Sequence, residues 1–402
     1  MTETRSNIIT MMLVVALAAS TFAAGLGVGR YLLPAAWSPL SSSDSAEQAA
    51  QFRLFEEAWR LVKRQFFTEE PLDGTRMIYG AIRGMLASLG DRHSVFLEPS
   101  QADMFRQDLE GEFSGIGATV NSTDDGLVQI VKPLPGTPAE RAGLQPGDVI
   151  LAVDGRDLAG LDLNQAVLLI RGPTNSTVRL LIQRLDVPAF EVSLVRSTIS
   201  VATTESRMLD GQLGYLALYE FNARAPKEVV AAIKQLRTQG ARALIFDLRG
   251  NPGGYLYVAE EVASQFLSQG LILSERTRDG DEILHRVQPG GAATDLPLVI
   301  LVDGMSASAS EIVAGAVQDQ ERGLLIGETT FGKGSVQTTE RLSDGSAVQL
   351  TIRRWYTPNG RAIQGEGLVP DIAVDRTAED IAAGADPPLE AAIVSLREQL
   401  SL

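Results

Sequence analysis

Three stretches in the second half of the chain, ARALIFDLRG (241–250), LPLVILVDG (296–304) and GLLIGE (323–328), are apolar at almost every position of their strand-forming part rather than at every second one. A strand that alternates can show one face to water, whereas a strand that does not must be covered on both. The first run is followed by the turn NPGG and the helically spaced YLYVAEEVASQFLSQG, the second by a serine-rich turn and EIVAGAVQD. The third leads through FGKGSVQ into two alternating segments, VQTTERL and SAVQLTIRRWY, about a turn at Ser343–Gly345. Repeated strand, turn and helix units predict an α/β core around a largely parallel sheet.

The first half reads differently. Phe52, Phe55, Trp59, Val62 and Phe66 recur at helical spacing, as do Ile78, Ile82, Met85 and Leu89 before Gly90, so two amphipathic helices open the folded part. Their aromatic residues are expected in a core or a dimer contact. From Gly111 to Arg184, short strands (GIGATV, LVQIVKPL, GDVILAVDG, VRLLIQR) surround a short helix at PAERAG and a longer one at LDLNQAVLLIRG. This segment resembles a PDZ domain, most specifically in GTPAERAGLQPGDVILAVDG (136–155). The resemblance implies that Ser114, Gly115, Ile116 and Gly117 form a carboxylate-binding loop. Glycines there let successive N–H groups converge on an anion, and the strand that follows can accept a peptide at its edge.

Composition narrows the chemistry. With no cysteine, disulfides, thiolate metal sites and a cysteine nucleophile are excluded. Two histidines, His93 and His285, lie in no metal-binding spacing, so no metal is expected. A formal net charge of −15 argues against nucleic acid as a partner. Near the N-terminus no residue from Ile8 to Gly29 is charged, and a helix of that length would span about 33 Å, enough to cross a bilayer. We read a membrane anchor; the competing reading is a signal peptide cleaved near Ala23 and Ala24. Either one exports the remainder, which is expected on the extracytoplasmic side, in the periplasm or cell envelope.

Loops at the carboxyl ends of such strands are where reacting groups gather. In GMSASASEIVAG (304–315), serines occupy 306, 308 and 310. Helical residues advance by about 100°, so neighbours two apart point in different directions and the stretch supplies one nucleophile at most. Helix capping by Ser306 or Ser308 explains the pattern as well. Lys333, between two glycines in FGKG, is either a surface lysine in a flexible loop or, if buried near a serine, a neutral amine able to take its proton. The turn after Arg249 could aim bare N–H groups outward as an oxyanion hole.

DLRGNPGG, SASASE, GETTFGKGSVQ and TPNGRAIQGEGLVPDI, in this order after a PDZ-like segment, closely resemble the carboxy-terminal processing (tail-specific) serine peptidases. The similarity runs from about Phe52 to Val374 and includes DRHSVFL (91–97). It implies Ser308 as nucleophile, Lys333 as general base and Gln337 as the residue that orients the amine. It further implies an oxyanion hole from the amides of Gly253 or Gly254 and of Ala309, with Glu311 and Asp319 as supporting acids. His93 is expected to pack or hydrogen-bond at the end of the leader and His285 to lie on the surface, while Asn359, Arg361 and Gln364 shape the wall around the site. No cofactor is needed.

The implied architecture is α/β (α+β overall), with a crotonase/ClpP-like peptidase core. Its order is an anchor or signal segment (1–35), linker (36–50), helical segment (51–100), PDZ domain (101–192), Ser-Lys core (193–385) and C-terminal helix (386–402). The function expected is a membrane-anchored serine endopeptidase that cleaves exported proteins through exposed, apolar C-terminal tails. A homo-oligomer and an activator or adaptor protein are left open. The alternative is a catalytically silent PDZ adaptor at the cell envelope.

Overall fold

The computed structural model describes residues 42–401, apart from 124, 201 and 211. The run Ile8–Gly29 lies outside the described residues; among those described, no helix is long and apolar enough to cross a membrane. The chain divides into two compact units, 1–76 and 77–402. In the first, α1 (Ser42–Gln65) carries Phe52, Phe55 and Phe66 as exposed residues rather than as a core, since one helix cannot bury its own apolar stripe. The helix α2 (Gly74–Ala87) spans the boundary, and β1 (Val95–Leu97) and α3 (Pro99–Glu110) follow.

A small β domain comes next. Its elements are β2 (Glu112–Gly115), β3 (Ala118–Ser122), β4 (Val128–Pro133), α4 (Pro138–Arg141), β5 (Val149–Val153), β6 (Arg156–Asp157), α5 (Leu163–Ile170), β7 (Thr177–Arg184), β8 (Val187–Val195) and β9 (Ser197–Ser200). The sheet order is β3-β4-β5-β7-β8, all antiparallel, with β6 added to β5. Ile130, Ile150, Leu180 and Ile182, on alternating inward positions, are fully buried over Ala139 and Ala166 of the two helices. Among the described residues β3 is an edge strand, paired on one side only. The chain enters and leaves this sheet through an antiparallel ribbon, Glu112–Gly115 against Ser197–Ser200.

The larger core contains β10 (Thr204–Leu209), β11 (Leu213–Leu218), α6 (Ala225–Thr238), β12 (Ala243–Asp247), α7 (Leu256–Phe266), β13 (Leu271–Thr277), β14 (Glu282–Arg286), β15 (Leu298–Val302), α8 (Ala309–Asp319), β16 (Leu324–Gly327), β17 (Ser335–Arg341), β18 (Ala347–Tyr356), β19 (Ile372–Ala373), α9 (Ala378–Ala383) and α10 (Pro387–Leu400). The main sheet has the order β10-β11-β12-β15-β16-β19, parallel from β11 onward. Every residue of β11, β12 and β15 is buried, as the unbroken apolar runs require. Helices α6, α7 and α8 cover one face; Ala392 and Leu396 of α10 cover the other. A second sheet, β1-β18-β13-β14 with β17 on the other side of β18, ties the leader into the core through Val95↔Gln349.

His285 is not a surface residue. On β14, its Nδ1 lies 2.8 Å from Glu260 of α7, and its Nε2 lies 3.4 Å from the fully buried Glu275 of β13, which also meets Arg353. The Glu260 and Glu275 contacts push its pKa up to about 9. A raised folded-state value means that this stabilisation is complete below the unfolded value of about 6.5 and is lost as pH rises through about 9. We therefore expect the melting temperature of the chain to fall between pH 6.5 and pH 9 and that of His285→Asn to fall less; parallel melting curves across this window would refute it.

Candidate active site

The carboxyl end of β15 delivers the serine turn. Ser308 precedes the first residue of α8 with φ +56° and ψ −112°, a backbone that a non-glycine residue adopts only when its surroundings enforce it. The flanking serines supply that enforcement. The Ser306 hydroxyl donates to Leu248 O at 2.8 Å and accepts from Asp303 N, while that of Ser310 donates to Asn251 O at 2.9 Å. Ala307 N adds a bond to Asn251 O. Both flanking side chains are fully buried, whereas Ser308 is half-exposed. The three hydroxyls are thereby divided, two stitching the serine turn to the 248–254 turn and one facing a cavity.

That cavity, of about 590 Å³, is lined by Ser308, Ala309, Gly253, Gly254, Lys333 and Gln337. Apolar walls come from Phe105 and Leu109 of α3, Ile312 of α8 and Val336 of β17. Gly253 backs directly onto the serine: a Cβ there would lie 2.8 Å from Ser308 Cβ and 3.0 Å from Ala309 N. At Gly254 a Cβ would meet Phe221 O at 2.3 Å, because 254 forms a parallel bridge with Phe221. Phe221 N donates to Gly253 O, and Tyr255 N donates to Phe221 O, so the bridge consumes neither Gly254 N nor Ala309 N. Gly253 N, by contrast, donates to Asn251 Oδ1 at 2.9 Å.

Glu311 joins the serine turn to the lysine loop. Fully buried in the first turn of α8, it accepts from Thr330 Oγ1 and Gly332 N on Oε1 and from Ser308 N and Lys333 N on Oε2, all at 2.6–2.9 Å. The backbone nitrogens of Ser308 and Lys333 thus meet on one carboxylate oxygen. Trp355 Nε1 holds Lys333 O at 3.0 Å, and Gln364 Oε1 accepts from Gly334 N. Burial lowers the pKa of Lys333, with the charges of Glu311 and Asp91 acting in the opposite direction.

Other expected positions fall elsewhere. Gln337 Nε2 donates to Ser335 Oγ and Thr351 Oγ1, and no hydrogen bond joins it to Lys333. Asp319 sits at the far end of α8, about 16 Å along the helix from Ser308, where its carboxylate holds Asn359 N and Arg361. These residues brace a turn rather than a wall of the site. In the small domain, Ser114 to Gly117 are all buried, with Ile116 O accepting from Ala139 N and Gly117 O from Thr137 Oγ1.

Known proteins carry the same arrangement of sequence. The model of peptidase family S41 matches residues 212–374, that of a PDZ domain matches 129–184, and that of the CtpB N-terminal domain matches 34–100. The carboxy-terminal processing protease CtpA of Bacillus subtilis is 36% identical over 84% of this chain and 72% of its own length. The carboxy-terminal-processing protease of Bartonella bacilliformis is 37% identical over 92% and 85%. The chain belongs to the S41 carboxy-terminal processing proteases. The solved photosystem II D1 C-terminal processing protease, 33% identical, matches this S41 chain with a TM-score of 0.50, over 80% of this chain and 92% of that one. This S41 protease is accordingly a serine peptidase with a PDZ domain.

In the Asp91–Ser94 loop the sequence assigned a role only to His93, expected to pack or hydrogen-bond, although DRHSVFL belongs to the resemblance. It lies against the lysine loop: Arg92 stacks over Phe331 at 5.3 Å, and Ser94 Oγ accepts from Thr351 N at 3.1 Å. Burial and then the charge of Lys333 lower the pKa of His93, so its neighbour is the candidate base.

Proposed function

We propose that this S41 peptidase works through a Ser308–Lys333 dyad on exported proteins that it takes up by their apolar C-terminal tails. The observation that carries the reading is one cavity holding a strained, half-exposed serine, a partly buried lysine with a lowered pKa, and amides beside the serine that donate to none of the described residues. Ser308 Oγ attacks the scissile carbonyl as its proton passes to Lys333 Nζ; the resulting ammonium then protonates the departing amine, and water resolves the acyl ester. The amides of Gly254 and Ala309 are the donors we assign to the oxyanion, since Gly253 N is taken by Asn251. With Gln337 Nε2 held by Ser335 and Thr351, its Oε1 is the atom that would accept from the amine.

Within this reading the Ser114–Gly117 loop receives the tail carboxylate, and edge strand β3 takes the tail itself. The core is of crotonase/ClpP-like type, the order of segments is that read from the sequence with the PDZ domain extended to the end of β8, and Ile8–Gly29 anchors the body on the extracytoplasmic side. Turnover of one unfolded protein carrying either an apolar tail or a tail ending in aspartates tests tail uptake. The apolar tail should give at least about tenfold higher kcat/KM, the order of one lost pocket contact. Equal rates would remove tail recognition; binding without any turnover would favour the silent adaptor.

A further inference from the structure

The leader loop grips the lysine loop at both ends. Upstream of Lys333, Arg92 lies over the Phe331 ring. Downstream, a chain of hydrogen bonds runs from Asp91 Oδ2 to Ser94 Oγ (2.6 Å), from Ser94 Oγ to Thr351 N (3.1 Å), and from Thr351 Oγ1 to Gln337 Nε2 (3.1 Å), which also holds Ser335 Oγ (2.8 Å). The loop is fixed in place by β1 on β18. We propose that Asp91 is a positioning residue for the general base, bracing the β17–β18 hairpin that follows Lys333 and contributing negative charge to the newly formed ammonium. This rests on the reading of Lys333 as the base.

Two carboxylates act by charge on the Lys333 amine, Glu311 first and Asp91 second. Each Glu311 oxygen already accepts two hydrogen bonds. Each Asp91 oxygen accepts one, from Ser94 Oγ and from His93 N, so Asp91 is the less saturated of the two. The charged groups that act on Lys333 are therefore Glu311 from α8 and Asp91 from the leader loop; Lys333 in turn acts on His93, which also feels Arg92. Removing the Asp91 charge makes the amine less able to hold a proton, so it becomes neutral at lower pH but accepts the serine proton less well.

The test uses the full chain and two readouts: the pH profile of kcat/KM, and labelling of Lys333 by an amine-acylating reagent against pH, read by mass spectrometry. In Asp91→Asn the acidic limb and the labelling midpoint should both move to lower pH, with kcat reduced about tenfold and KM within about twofold. Asp91→Glu should restore both midpoints. Ser94→Ala, which keeps the charge and cuts the brace, should lower kcat without moving either midpoint, and it tests the brace even if Asp91→Asn does not fold. Unmoved midpoints in Asp91→Asn, or full kcat in Ser94→Ala, overturn the proposal. Retained activity in Lys333→Ala would instead remove the underlying dyad.

Discussion

Ser308→Ala and Lys333→Ala are each expected to lower kcat/KM for an unfolded protein substrate by about 10,000-fold, and the double variant to fall no further. Groups that act in one step are lost together, because a serine without its base and a base without its serine are equally idle. Lys333→Arg should be as inactive, since a guanidinium does not give up its proton near neutrality. In the active enzyme kcat/KM should rise with pH as the amine loses its proton, with a midpoint below the ordinary lysine value because burial disfavours the charged form. Tail binding, measured on the same variants by titration with a labelled peptide, should be unchanged. Substantial activity in either single variant would place the chemistry elsewhere.

Glu311→Gln should cost both stability and turnover. Four donors converge on the two oxygens of this fully buried carboxylate. An amide replaces one oxygen by an NH2 group, so two of those donors would face another donor. Breaking a buried, fully bonded charge in this way costs about 3–5 kcal/mol. Because the donors include the backbone of both Ser308 and Lys333, the strain falls on the serine turn and the lysine loop together, and kcat should drop about 100-fold. Urea unfolding and steady-state rates on the purified variant measure the two effects. A variant as stable and as fast as the parent would show that the carboxylate is a bystander.

Much of this was legible in the sequence, for identifiable physical reasons. Strands buried on both faces leave unbroken apolar runs, and β12, β15 and β16 fall where such runs predict them. A serine between two others and a lysine between glycines are local patterns, and the cavity brings them together. What stayed hidden depends on long-range packing. β8 lies beyond the last strand read from the sequence in the small domain, and it is pairing with β7 that holds it as one. His285 looked solvated within a polar stretch, but β13 and β18 bury the carboxylate opposite it. The partners chosen by Gln337, and the distance of Asp319 from Ser308, are likewise set by register and helix length rather than by residue type.

One bond in the site carries a practical consequence. Trp355 is almost wholly enclosed, and its indole N–H is anchored to the carbonyl of Lys333. Indole emission responds to the polarity and hydrogen bonding of its surroundings, so a movement of the lysine loop changes the light this ring gives off. With Trp37 and Trp59 replaced, the chain therefore contains a built-in optical gauge of the loop that carries Lys333, readable in real time without a label.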